Sequence, residues 1–284
     1  MTLRRRGTTL RPAFAGGRSN ETDVSAPTAM SETSIDRAKT GLKRLQSLHD
    51  AGRLDEAEAG YRDWVARRPD DAGAWQLYGV VAFQRGKHQR AIERLTRALQ
   101  LRPDFPQALS NLGSVMLAMG QVDQAEKLYR LALKYNPDYP EAIGNLGALL
   151  NTREQFEAAL PFLRRAVALR PDHAMAHNNL GNAFEQLDRT EEAQAAYGRA
   201  LELAPDHPVF LGNLGKMHGL AGQHNEAIEC FDRALANDPH CVTALCGLAT
   251  SRRIALEDRE VRLFREAFSR FDRLTHREKV DFLF

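Results

Sequence analysis

The chain has little that would staple, anchor or polarise it. Of 284 residues only three are cysteine, Cys230, Cys241 and Cys246, an odd number gathered late in the chain. That excludes a disulfide framework, predicts free thiols and fits a reducing, cytoplasmic setting. No apolar run approaches the roughly 18 residues of a membrane helix, which excludes membrane insertion. Net charge is nearly absent: 39 basic residues face 37 acidic ones, for a formal +2. A general nucleic-acid binder carries a strong basic excess, so that class is set aside. The surplus belongs to residues 1–35, where Arg4, Arg5, Arg6, Arg11 and Arg18 stand against Glu21, Asp23 and Glu32. This stretch is rich in Ser, Thr, Gly and Ala, shows no helical period and reads as a disordered tail. Pro12 and Gly16-Gly17 break the amphipathic helix of a targeting peptide. A start at Met30 would make the stretch an over-long gene start.

The furniture of an enzyme is missing as well. No strand precedes a phosphate-binding Gly-rich loop, and no carboxylate pair stands out as general acid and base. His173 and His177 have metal-ligand spacing on a helix. His177, however, falls at a core position filled elsewhere by Trp75 and Leu109, and no third ligand accompanies the two. Cys241 and Cys246 do not make a zinc pattern. The expectation is a protein without catalytic residues, metal or cofactor.

What is present is a repeat. Pro69, Pro103, Pro137, Pro171, Pro205 and Pro239 stand 34 residues apart, the first five followed by Asp and the last by His240. Between them apolar residues keep phase. Trp75, Tyr78, Gly79, Ala82, Ala91, Leu95 and Ala98 in one unit match Leu109, Leu112, Gly113, Met116, Ala125, Tyr129 and Ala132 in the next. The steps are those of helical faces, so each unit is a pair of amphipathic helices. Gly52, Gly86, Gly120 and Gly222 fall between paired helices, where a C-cap wants Gly. Each periodic Pro ends a second helix, and Pro106, Pro140 and Pro208 open first helices. Pro161, early in one second helix, predicts a shifted or kinked start. Gly79, Gly113, Gly147, Gly181 and Gly215 predict close approach of the paired helix, with Ala91, Ala125, Ala159, Ala193 and Ala227 facing them. Phe105, Tyr139, His173 and His207 share one place between units and read as wedges.

Over about residues 38–255 this pattern resembles the tetratricopeptide repeat (TPR) family. The resemblance implies an all-α fold, a right-handed α-solenoid of tandem TPR helix-turn-helix units, with first helices lining a concave groove. The solenoid is expected over 36–255, as six clear repeats and a partial seventh. The opening unit is degenerate, with Leu45 in the Gly place and Trp64 for a small Ala.

A helical wheel puts Asn111, Asn145, Asn179 and Asn213 on the wall away from the core residues. Asn is a poor mid-helix residue, so four in register call for a reason beyond local stability. A carboxamide offers two donors and an acceptor, and can hold a peptide amide whatever its side chain. A rival reading is that each Asn bonds its neighbour in the next repeat. The same wall receives Ser110, Ser114, Gly144, Ala148, Asn178, Asn182, Gly212 and Lys216, without a basic clamp for a terminal carboxylate. The candidate peptide-binding set is Asn111, Asn145, Asn179, Asn213, Ser114, Asn178 and Asn182. The string NNLGNAFEQL at 178–187 resembles the repeats of O-linked N-acetylglucosamine transferases, where Asn at the matching place binds substrate backbone. Leu77 and Gly247 end the series.

Residues 256–284 are expected to form capping or linker helices. Val261, Phe264, Phe268 and Phe271 make one face, a Thr275–Glu278 capping box follows, and the apolar end is Phe282-Leu283-Phe284. The segment from Ala244 onward resembles the bridge to sulfotransferase domains in bacterial TPR proteins. The resulting expectation is a non-catalytic scaffold or adaptor that binds a protein or extended peptide. Self-association could run through the C-terminal helix. The alternative is the substrate-recruiting region of a longer glycosyltransferase or sulfotransferase.

Overall fold

The computed structural model describes the backbone of residues 32–251 and the side chains of 40–250. The expectations for the tail up to residue 31 and for the helices and self-association surface beyond residue 251 lie outside the described residues. The chain divides into two compact units, 1–44 and 45–284. Of the first, the described part is the opening of α1, Glu32–Asp50. This helix begins four residues inside the stretch read as tail, because Thr33 and Ser34 carry no apolar period by which a sequence pattern could find it.

Beyond α1 the second unit holds α2 (Leu54–Arg67), α3 (Ala72–Gln84), α4 (His88–Leu101), α5 (Pro106–Ala118), α6 (Val122–Tyr135) and α7 (Pro140–Thr152). It continues with α8 (Phe156–Leu169), α9 (Ala174–Gln186), α10 (Thr190–Leu203), α11 (Pro208–Leu220), α12 (His224–Asn237) and α13 (Val242–Ser251). The described residues contain no strand. The architecture is the all-α, right-handed solenoid of tandem helix pairs that the repeat predicts. Core clusters follow one another along the array, the largest running from Ala125 and Tyr129 to Tyr197 and Met217. A repeat fold is built this way, because each pair buries its apolar face on its neighbours.

The periodic residues act at the helix ends. Each second helix stops two residues before its Pro, and Pro106, Pro140 and Pro208 occupy the first helical turn. Gly52, Gly86, Gly120 and Gly222 all have positive φ. At Gly120 the turn closes with Gly120 N–H donating to Leu117 O (2.9 Å) and Gln121 N–H to Met116 O (2.8 Å). This is the Schellman pairing that satisfies the last carbonyls of a helix. The same pairing recurs at 154 and 188, where Glu154 (φ 58°) and Asp188 (φ 55°) stand in place of Gly. Pro161 does not shift its helix: α8 starts at Phe156, in register with Val122 and Thr190.

The helical glycines do admit the paired helix, but the alanines are not what comes closest. A Cβ on Gly113 would lie 2.7 Å from Tyr129 Cε1, on Gly147 2.7 Å from Leu163 Cγ, and on Gly181 2.6 Å from Tyr197 Cε1. The large residue one turn after each Ala therefore fills the space. Fully burying such a side chain stabilises by about 1.5–3 kcal/mol, more than the roughly 1 kcal/mol that Gly costs a helix. In the opening unit Leu45 takes the Gly place while the buried Tyr61 stands at the step of Tyr129, and room for Leu45 comes from Gly60, where a Cβ would sit 2.2 Å from Leu45 Cδ2. Trp64, in the place of a small Ala, donates from Nε1 to Asp71 Oδ2 (2.9 Å), while Asp71 Oδ1 caps α3 at Ala74 N–H.

Candidate functional site

First helices of successive units lie side by side, with α3 against α5, α5 against α7 and α7 against α9. This arrangement changes which wheel positions face the groove. Ser110 and Asn178, assigned to the open wall, are 1% and 3% exposed. A Cβ on Gly212, in the same phase, would lie 3.2 Å from Thr243 Cβ on the next first helix. A wheel sees one helix, and here the neighbouring helix covers the position.

The four Asn positions divide. Asn213 is 5% exposed and donates from Nδ2 to Asn178 Oδ1 at 2.9 Å, a buried inter-repeat bond. Asn145 reaches back more loosely, its Nδ2 lying 3.4 Å from Ser114 Oγ and 3.5 Å from Ser110 Oγ. The Asn111 and Asn179 side chains are half-buried and make no hydrogen bond among the described residues. The Asn179 backbone carbonyl accepts from Asn151 Nδ2 (2.7 Å).

Ser114 and Asn182 have structural partners. The Tyr129 hydroxyl lies 3.1 Å from Ser114 Oγ, and the Tyr197 hydroxyl lies 2.6 Å from both Asn182 Oδ1 and Glu185 Oε2. Lys216 Nζ lies 3.1 Å from Glu185 Oε1. Burial raises the Tyr129 hydroxyl pKa, an effect that the Ser114 bond partly offsets. The tyrosines were readable as core residues, but their polar partners were missed. A signal exists: Tyr129 and Tyr197 pair with Ser114 and Asn182, while Leu95 and Leu163 pair with the apolar Val80 and Ala148.

Asn111, Asn145 and Asn179 converge on an open pocket of about 170 Å³. Its lining includes Gly144, Ala148, Ala166 and Ala176, with Glu141, Arg170, His173 and Met175 also bordering it. Arg170 Nη1 and Glu141 Oε1 pair at 2.9 Å, so neither charge is left unmatched. The His173 imidazole titrates below its ordinary value, first because of burial and then because of the Arg170 charge. Its Nδ1 accepts the Ala176 N–H (3.1 Å), capping α9. His177 Nε2 donates to Pro171 O (3.0 Å), as Trp75 Nε1 donates to Pro69 O one turn before its own helix. Both histidines are thus engaged with backbone. Among the described residues no three His, Cys, Asp or Glu gather as a metal site. Cys230, Cys241 and Cys246 form no disulfide among the described residues. Of the four wedge residues Phe105 is buried, and His207 stacks on Phe210 at 3.9 Å.

A second polar cluster escaped the sequence reading. Glu58 is held by Arg94 Nη2 (3.0 Å), Lys87 Nζ (2.8 Å) and Arg85 Nη1 (2.7 Å), and Arg94 lies 3.4 Å over the Tyr78 ring. Burial pushes the Glu58 carboxyl up, and the Lys87 and Arg94 hydrogen bonds and charges together bring it below its ordinary value. Arg153 repeats part of this pattern two units on, with Asp123 and Glu126.

The fold and the groove define a TPR protein whose first helices share an open pocket of small apolar residues bordered by carboxamides. The chain belongs to the family of the TPR-containing C-terminal domain of cilia and flagella-associated protein 70, which matches residues 26–267. No curated protein matches the sequence. Among solved structures, the chain is similar to YrrB, a TPR protein with an unusual peptide-binding site. The two share 22% identity and a TM-score of 0.53, over 68% of this chain and 98% of that one. Cut9, in the Cut9–Hcn1 assembly of the APC/C, has a TM-score of 0.71 at 18% identity over 84% of this chain and 47% of that one. Pseudomonas aeruginosa PilF has a TM-score of 0.61 at 19% identity, over 76% and 96% respectively. No helix among the described residues is long and apolar enough to cross a membrane.

Proposed function

We propose that this chain is a non-catalytic interaction module whose groove holds an extended polypeptide segment. The backbone amides of the segment would be gripped by Asn111, Asn145 and Asn179. The observation that carries this reading is that these three carboxamides, one from each of three successive first helices, border one open pocket. Two of them have no partner among the described residues, so their donors and acceptors are available to a ligand. Asn213, Asn178, Ser114 and Asn182 become supports in this reading. They fix the helices and tyrosines behind the wall. The site named for YrrB is in keeping with a TPR groove serving peptide recognition.

The test is binding of a degenerate decapeptide pool by the full chain and by a variant with Asn111, Asn145 and Asn179 changed to Ala. A hydrogen bond contributes about 1 kcal/mol net, so three should cost about two orders of magnitude in affinity across all sequences. Unchanged affinity with unchanged circular dichroism overturns the proposal.

A further inference from the structure

The carboxamides explain how a segment is held and leave open what the space between them receives. That space opens over the unit beginning at 140, between the units on either side. At the two first-helix positions in the phase of Gly144 and Ala148, the units opening at 72, 106, 174 and 208 carry Gln76 and Val80, Ser110 and Ser114, Asn178 and Asn182, and Gly212 and Lys216. The unit opening at 140 carries Gly144 and Ala148, both small and both apolar. A Cβ on Gly144 would touch only Ala166 Cβ, at an ordinary contact distance of 3.9 Å, so a side chain can be added there without a clash at its first carbon.

We infer that this pocket is a side-chain subsite, which receives one uncharged apolar side chain of leucine to phenylalanine size from the segment held by Asn111, Asn145 and Asn179. The inference rests on the backbone-clamp reading and adds sequence selectivity to it. Three observations fix the class of occupant. The volume of about 170 Å³ is close to that of a cavity of about 150 Å³ known to accept a benzene ring. Gly144, Ala148, Ala166 and Ala176 make a part of the lining without hydrogen-bonding side chains, and the carboxamides of Asn111, Asn145 and Asn179 beside it are engaged by backbone amides in the clamp reading, so a polar side chain placed against the small residues would lose its water without replacement. The charges at the border, Glu141 and Arg170, already neutralise each other, so a charged side chain has no counter-ion there. The free carboxamides of Asn111 and Asn179 suit the amides on either side of such a residue, because each presents donors and an acceptor.

The experiment titrates the full chain with the blocked tripeptides acetyl-Gly-X-Gly-amide, X being Leu, Phe, Ala or Asp, and follows NMR shifts of groups bordering the pocket. The Leu and Phe peptides should bind at least about tenfold more tightly than the Ala peptide, and the Asp peptide should not bind. G144L should abolish the preference, because its side chain occupies the pocket. A148L provides a second filled variant should G144L not fold. Equal affinity for Leu, Phe and Ala, absence of shifts with all four peptides, or a preference that survives filling overturns the subsite. The two proposals fail differently. If all peptides bind alike and N111A/N179A removes that binding, the clamp stands and the subsite falls. If the Leu preference persists undiminished in N111A/N179A, the clamp falls and the subsite stands.

Discussion

Six helix-pair turns place a residue of positive φ at the same step of the 34-residue period, and only four of them use Gly. Glu154→Gly and Gly120→Ala therefore probe one backbone conformation from both sides. An L-residue in the left-handed region costs about 1–2 kcal/mol. Gly there avoids that cost but gives up about 0.4–1 kcal/mol through the greater freedom of its unfolded chain. The difference favours Gly by about 0.7 kcal/mol. Side-chain contacts do not obscure the comparison at Gly120, where an added Cβ meets nothing within 4 Å. Glu154 is exposed and makes no side-chain bond among the described residues. Glu154→Gly should raise the urea midpoint, and Gly120→Ala should lower it by a similar amount. With an m-value of about 2 kcal/mol/M the shift is about 0.3 M, at unchanged slope. Asp188→Gly should gain less, because Asp tolerates the left-handed region better than Glu. A Glu154→Gly variant that is less stable than the parent, with Gly120→Ala unaffected, would refute the view that these turns are limited by backbone strain.

Other consequences can be measured in the same unfolding assays. Gly113→Ala pushes a Cβ to 2.7 Å from the buried Tyr129 ring and should cost about 1–3 kcal/mol, well above the ordinary Gly-to-Ala gain in a helix. Asn213→Ala leaves the buried Asn178 Oδ1 without its donor and should cost about 1–3 kcal/mol, while Asn111→Ala should be nearly silent in stability. The folded pKa of Glu58 lies below its ordinary value of 4.5. Its contribution is therefore complete above that pH and is lost as pH falls through the folded pKa. Glu58→Gln removes the charge that Arg94 and Lys87 share while Arg94 keeps its bond to Tyr78 O, and should cost about 1.5–3 kcal/mol at neutral pH and flatten the acid limb of the stability curve. A parallel acid limb in both proteins would remove Glu58 from the account.

How far the sequence could be read depended on whether a residue acts through its own backbone or through a neighbour. Pro103, Pro137 and Gly120 announce helix ends because their effect is local, and those ends fall where the spacing puts them. Glu154 and Asp188 sit in the same turns without the glycine signal, since the surrounding Schellman bonds impose the conformation on whatever residue is there. The wall was harder. Asn178 and Asn213 look equally outward on a wheel, and both are buried because the wheel omits the helix alongside. A second kind of pattern was available. Position 114 or 182 is polar where the residue 15 further on is Tyr129 or Tyr197, and position 80 or 148 is apolar where that residue is Leu95 or Leu163. A polar residue on the wall must therefore first be tested against the second helix of its own unit, since a buried hydroxyl needs a partner. Asn111, Asn145 and Asn179 stand three residues before positions 114, 148 and 182, and are present whether that place faces a tyrosine or a leucine. Asn145 reaches Ser110 and Ser114 in the preceding unit, and for Asn111 and Asn179 a groove ligand is the partner that we propose.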